Sequence, residues 1–84
     1  MYYTYIIISE STGKFYIGQT NNIQARLSRH NSSKNFSTKN RGPWKLIFTK
    51  EFPTRAEAMK YEKYLKSLKN KEYILKKICG YETA

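Results

Sequence analysis

Aspartate is absent from this sequence; all six acids are glutamates. That excludes nucleases and phosphatases built on clustered aspartates, EF-hand loops and Asp-based triads. A single cysteine, Cys79, excludes a disulfide framework and thiolate zinc sites. A single histidine, His30, excludes paired-histidine metal sites such as H-E-x-x-H. The longest apolar run, Ile6-Ile7-Ile8, falls far short of the ~20 residues a membrane span needs. The N-terminal MYYTYIII has no basic segment and no cleavage site, so no secretory signal is expected. A cytoplasmic location follows as the expectation, with Cys79 reduced and packed as a small apolar residue.

What is present is basic and aromatic. The chain has 84 residues, which predicts one small domain over residues 1–84. A domain of this size buries only about 60–65% of the surface of its unfolded chain, so the core is thin, with little room for an internal cofactor cavity. Sixteen Lys and Arg give a formal charge of +10. The hydrophobic fraction is low at 39%, but aromatics reach 15%, whereas disordered basic tails are aromatic-poor. The chain should fold, and a folded domain with this charge attracts polyanions. Nucleic acid is the commonest such partner, ahead of an acidic membrane surface.

Residues 2–9 (YYTYIIIS) read as a strand, Glu10 to Gly13 as a turn and Lys14 to Gly18 as the returning strand. Asn21 or Asn22 can cap a helix through about Asn31. Residues 31–43 are polar, basic and rich in Ser and Asn, a long exposed loop. Trp44 to Phe52 alternates as a third strand, with Trp44, Leu46 and Phe48 on one face, and Pro53 ends it. Thr54 followed by Glu57 has capping-box spacing and predicts a helix from Arg55 to about Leu68. Asn70 can cap a last helix over 71–78, and Gly80 ends regular structure. The fold class is α/β of the α+β kind: a three-stranded antiparallel sheet flanked by helices, in the order β-β-α-β-α-α.

Three side-chain patterns stand out. With a four-residue turn, Ile7 pairs with Tyr16, and Tyr5 lies diagonal to Tyr16 on the same face. Tyrosines are also ordinary strand residues, and alone this pair reads as packing. On the first helix, Ile23, Arg26, Leu27 and His30 share one arc, which puts an Arg and the only His on the apolar side. Arg26 suits phosphate recognition and His30 can bond a phosphate or carry a proton. Equally, Arg26 can lie along the core edge while His30 complements the helix dipole. On the second helix Glu62 borders the arc of Ala58, Tyr61, Leu65 and Leu68, opposite Lys60, Lys63, Lys66 and Lys69. A carboxylate there suits Mg²⁺, which takes one or two carboxylates, waters and substrate phosphates. Spacing alone favours a Glu62–Lys66 pair worth ~0.3–0.5 kcal/mol. The lysine face and the basic loop can track a phosphate backbone, and tyrosines among them suit stacking on single-stranded or distorted nucleic acid; such runs are also ordinary solvated faces.

Together these residues resemble the GIY-YIG nuclease family. Tyr16-Ile17-Gly18 is the second signature unchanged; Tyr3-Thr4-Tyr5 holds the first with only its tyrosine kept. Tyr16 follows Tyr5 by eleven positions, Arg26 follows Tyr16 by ten and His30 follows Arg26 by four, as in the family. Thr38-Lys39, Pro43-Trp44-Lys45-Leu46 and Ala58, Glu62-Lys63 and Leu65-Lys66 are similar to its small single-domain branch. The likeness spans residues 2 to about 75. It implies a metal-dependent endonuclease hydrolysing DNA phosphodiesters, with catalytic residues Tyr5, Tyr16, Arg26, His30 and Glu62. Glu62 matches the ligand of one divalent ion, Mg²⁺ or Mn²⁺. Arg26 matches the arginine on the scissile phosphate, and one of the tyrosines matches the general base. A tyrosine with pKa near 10 needs cations to lower it for that role, and Arg26, the metal and lysines would supply them. Gly18, Arg29, Lys39, Arg41, Lys63 and Lys66 are expected to contact nucleic acid, branched or damaged DNA included. The small branch lacks the accessory DNA-binding domain of repair, homing and resolvase-type relatives. Cutting is therefore expected to be weakly sequence-specific, structure-specific or directed by a protein partner. Gln19 stands where some members carry Lys, and Glu62 plus twelve is Ile74 rather than the Asn of some members, with Asn70 nearby. These departures support an alternative, a non-catalytic nucleic-acid-binding module on the same scaffold. A third reading is a structural protein whose charge serves solubility or assembly.

Overall fold

The β-branched and aromatic run at the N-terminus forms strand β1, Tyr2–Ser9. A computed structural model of the chain describes residues 1–31, 43–68 and 70–78, apart from the side chains of Lys71, Lys77 and Ile78. The readings placed on Lys39, Arg41, Cys79 and Gly80, and most of the loop 31–43, lie outside the described residues. After β1, Gly13 takes a φ of 74°, a left-handed conformation open to glycine without steric cost. Its N–H donates to the Ser9 carbonyl at 2.9 Å, and the Ser9 N–H donates to the Lys14 carbonyl at 2.8 Å. This turn sets the expected register, with Ile7 opposite Tyr16 and Tyr5 opposite Gly18. Strand β2, Phe15–Thr20, starts one residue later and ends two later than the sequence reading. The Asn22 side chain then accepts from the Ala25 N–H at 3.0 Å, so Asn22 is the cap of helix α1, Ile23–Asn31.

Strand β3, Trp44–Phe52, pairs antiparallel with β1 and completes a sheet of order β2-β1-β3. Ile6 lies opposite Phe48, but Ile7 lies opposite Leu46, so Ile47 is an extra residue in a bulge. This corrects the expected single face of Trp44, Leu46 and Phe48. One inserted residue reverses the alternation. Trp44 and Leu46 pack with Tyr5 and Ile7, while Phe48 and Ile47 pack with Ile6 on the other side.

Helix α2, Arg55–Leu68, starts where Thr54 Oγ1 accepts from the Glu57 N–H at 3.3 Å. Helix α3, Lys71–Tyr73, starts where Asn70 Oδ1 accepts from the Tyr73 N–H at 3.0 Å. The helix expected over 71–78 changes character, since Ile74–Ile78 is a π-helical turn. The two faces of the sheet carry separate cores. One joins Ile6, Ile17, Leu65 and Ile74; the other joins Tyr5, Ile7 and Trp44 to Ile23 and Leu27 of α1. Helices α1 and α2 therefore flank opposite faces. No helix among the described residues is long and apolar enough to cross a membrane.

Candidate active site

The central strand presents Tyr5, 2% exposed, toward α1. Its ring lies across Gly18 of the edge strand. A Cβ on Gly18 would sit 2.6 Å from the Tyr5 hydroxyl, 2.8 Å from its Cζ and 3.1 Å from Tyr16 Cε1. Glycine at 18 is thus what lets the Tyr5 phenol reach the β2 edge of the sheet. There its hydroxyl is 3.0 Å from His30 Nε2. The Tyr16 ring centroid lies 6.4 Å from that of Tyr5 and 4.8 Å from that of His30. Trp44 closes the group on the other side of His30, with centroids 6.4 Å apart.

Helix α1 places His30 because Ile23 and Leu27 bury one stripe against the sheet. The next residue secures the placement. Asn31 Oδ1 accepts from the Trp44 N–H at 2.6 Å, and Asn31 Nδ2 donates to the Trp44 carbonyl at 3.2 Å. Arg26 is half-buried on the same helix and its charge acts on both Tyr5 and His30. Burial pushes the His30 pKa below its ordinary 6.5, and the cations Arg26 and Arg29 push it the same way. The imidazole is therefore neutral at pH 7. In the tautomer with the proton on Nδ1, Nε2 can accept from the Tyr5 hydroxyl. Burial first, then Tyr16 and Glu62, raise the Tyr5 pKa well above 10; Arg26 pulls it down but is outweighed. Arg26 acts in the expected direction, but desolvation of the phenolate exceeds the help of the guanidinium alone.

Glu62 comes from α2 on the opposite face, and its charge still acts on the Tyr5 phenol. The Glu62 side chain is 20% exposed, and its Oε2 accepts from Lys66 Nζ at 2.7 Å. The i, i+4 pair and the electrostatic reach to the tyrosine thus coexist. Among the described residues no group of three or more His, Cys or Glu side chains converges as a metal cage. A single partly exposed carboxylate fits the coordination habit of Mg²⁺, which keeps waters and takes substrate phosphates as further ligands. Tyr16 and Lys66 wall one cleft of about 530 Å³ beside β2, together with Lys14 and Asn70. Lys63 on α2 and Arg29 on α1 are exposed.

Sequence reasoning missed three contributors. Lys14 enters the cleft through the hairpin register. Asn31 reads as a helix end, yet its side chain acts as a backbone surrogate for Trp44. Thr4 is fully buried, and its hydroxyl donates to the Ala58 carbonyl at 2.6 Å, tying α2 to the central strand. Of these, only Thr4 gave a signal, as a hydroxyl where the resembled signature has isoleucine.

The profile of the GIY-YIG catalytic domain matches residues 1–77. UPF0213 protein BLi00048/BL00536 of Bacillus licheniformis is 45% identical over 71 residues, which cover 81% of this chain and 73% of that protein. UPF0213 protein YazA of Bacillus subtilis is 36% identical, over 81% of this chain and 70% of its own. The solution NMR structure of UPF0213 protein BH0048 from Bacillus halodurans covers 98% of this chain and 100% of its own, at 30% identity and a TM-score of 0.43. With its profile matched along nearly the whole chain, this protein belongs to the GIY-YIG catalytic-domain family.

Proposed function

We propose that the chain is a metal-dependent endonuclease that hydrolyses DNA phosphodiester bonds, choosing its substrate by structure or through a protein partner. The observation that carries this reading is the Tyr5–His30 hydrogen bond beside Tyr16 at the β2 edge, reached by the charges of Arg26 and Glu62. Hydrolysis joins a water oxygen to phosphorus, opens one P–O ester bond and needs a home for the water proton. A free Tyr5 phenolate is disfavoured by burial. Neutral His30 offers a better sink: the water proton passes to the Tyr5 oxygen as the Tyr5 proton passes to Nε2. Arg26 neutralises the charge that builds on the phosphate. Glu62 would hold one Mg²⁺ or Mn²⁺, which supplies Lewis acidity and stabilises the leaving oxygen. Arg29, Lys14, Lys63 and Lys66 provide cations for the flanking backbone.

A second reading, a binding module without turnover, draws on the 2.7 Å Glu62–Lys66 pair, which occupies one carboxylate oxygen. Supercoiled-plasmid nicking in Mg²⁺, Mn²⁺ or EDTA separates the two. The nuclease reading expects metal-dependent nicking, lowered about 100-fold or more in Glu62→Ala and Arg26→Ala and lowered in Tyr16→Phe, with circular dichroism unchanged. Wild-type rates in all three variants would overturn the site. A metal-independent gel shift without nicking, on branched and damaged duplexes as well, would favour the binding module.

A further inference from the structure

We infer that the aromatic cleft between the end of β3 and helix α2 is a stacking site for an unpaired nucleobase of single-stranded nucleic acid. The cleft, about 480 Å³, is walled by Phe52, Pro53, Tyr61 and Tyr64, with Lys60 and Glu57 at its sides. Its walls are flat rings rather than branched aliphatic chains. Phe52 and Tyr61 have centroids 5.5 Å apart, and Tyr61 and Tyr64 5.7 Å. Tyr64 is 47% exposed, a large ring face left to solvent. Lys50 Nζ lies 4.8 Å over the Tyr61 ring and 5.8 Å from that of Phe52. Rings that accept a π-face, beside cations that accept a phosphate, are complementary to a nucleotide. An apolar peptide would match the rings but offer the two lysines no anion.

Tyr61 immediately precedes Glu62, so one helix carries both the stacking wall and the carboxylate of the candidate active site. A substrate with an unpaired stretch near the cut, such as a flap or bubble, would engage both. The inference rests on the nucleic-acid part of the proposed function and not on cleavage.

The test is fluorescence anisotropy in EDTA with the full chain. The probes are a labelled oligothymidine of about 12 nucleotides, an abasic strand of the same length, and a duplex. The wild type is expected to prefer oligothymidine over the abasic strand. Tyr64→Ala should weaken oligothymidine binding about 5- to 150-fold, the span of one lost stack, erase that preference and leave duplex binding within about twofold. Tyr64→Phe should retain it. Equal weakening on all three probes, or no weakening on oligothymidine, would overturn the inference. So would a Tyr64→Ala change confined to the sedimentation of the protein alone, which would assign the patch to self-association. Nicking without the base preference removes the stacking site and leaves the nuclease reading; the preference without nicking does the reverse.

Discussion

His30 is buried among Tyr5, Tyr16 and Trp44, with Arg26 and Arg29 acting on it, and every one of these influences opposes its protonation. Its folded pKa lies below the unfolded value of about 6.5. Below that pH the unfolded chain binds the extra proton, so the stability His30 contributes is complete above about 6.5 and is lost as pH falls through the folded value. Tyr5 works at the other end, since its folded pKa lies above the unfolded value of about 10. Its contribution is complete below about 10 and is lost as pH rises beyond it. Urea midpoints measured against pH should form a plateau between these limits. His30→Gln should flatten the acid limb and Tyr5→Phe the alkaline one, whatever either does to the plateau height. An acid limb of unchanged slope in His30→Gln would show that other groups set it. At Gly18 the expectation is steric. Gly18→Ala must displace the Tyr5 ring from a fully packed position, at a cost of about 1–3 kcal/mol. It should break the Tyr5–His30 bond, which the chemical shifts of His30 would report.

Elements are joined by a few directed contacts. The Thr4 hydroxyl donates to the carbonyl of Ala58, which in a regular α-helix also accepts from the N–H of residue 62. Thr4→Val keeps the shape and removes the donor. It should cost about 1–2 kcal/mol in urea unfolding, while Thr4→Ser retains most of the stability. At this scale the sequence was most readable where structure is local. The Asn22, Thr54 and Asn70 caps, the turn ending at Gly13 and the hairpin register all follow from neighbours in sequence. Periodicity placed Arg26 and His30 on the buried side of α1 and Tyr5 beside Tyr16. The bulge at Ile47 was not legible, because it exists only in the pairing of β3 against β1 and the sequence of β3 alternates regularly. Nor was the π-helical turn after Tyr73. Glu62 showed only as a border residue on its helix. Its charge reaches Tyr5 from the opposite face of the sheet, a tertiary relation that no pattern within α2 reveals.

On the scale of the whole molecule, a formal charge of +10 sits on a sheet with helices on both faces. Binding to any nucleic acid should then weaken steeply with salt. A log–log plot of affinity against salt should be linear, with a slope of about −0.9 per phosphate neutralised on duplex and about −0.7 on single strands. Lys63→Ala and Lys66→Ala should each shallow the slope by roughly one phosphate contact; slopes unchanged in both would place the backbone path elsewhere. The Asn31–Trp44 clasp carries a different consequence. Its two hydrogen bonds, with the Glu10 N–H donating to the Pro43 carbonyl at 2.9 Å, fasten the chain on both sides of residues 32–42. Doubling the length of a closed loop costs only about 0.6 kcal/mol. A longer insert between Asn31 and Pro43 would therefore cost little chain entropy, and the clasp would still seat Trp44 and His30 against the tyrosines.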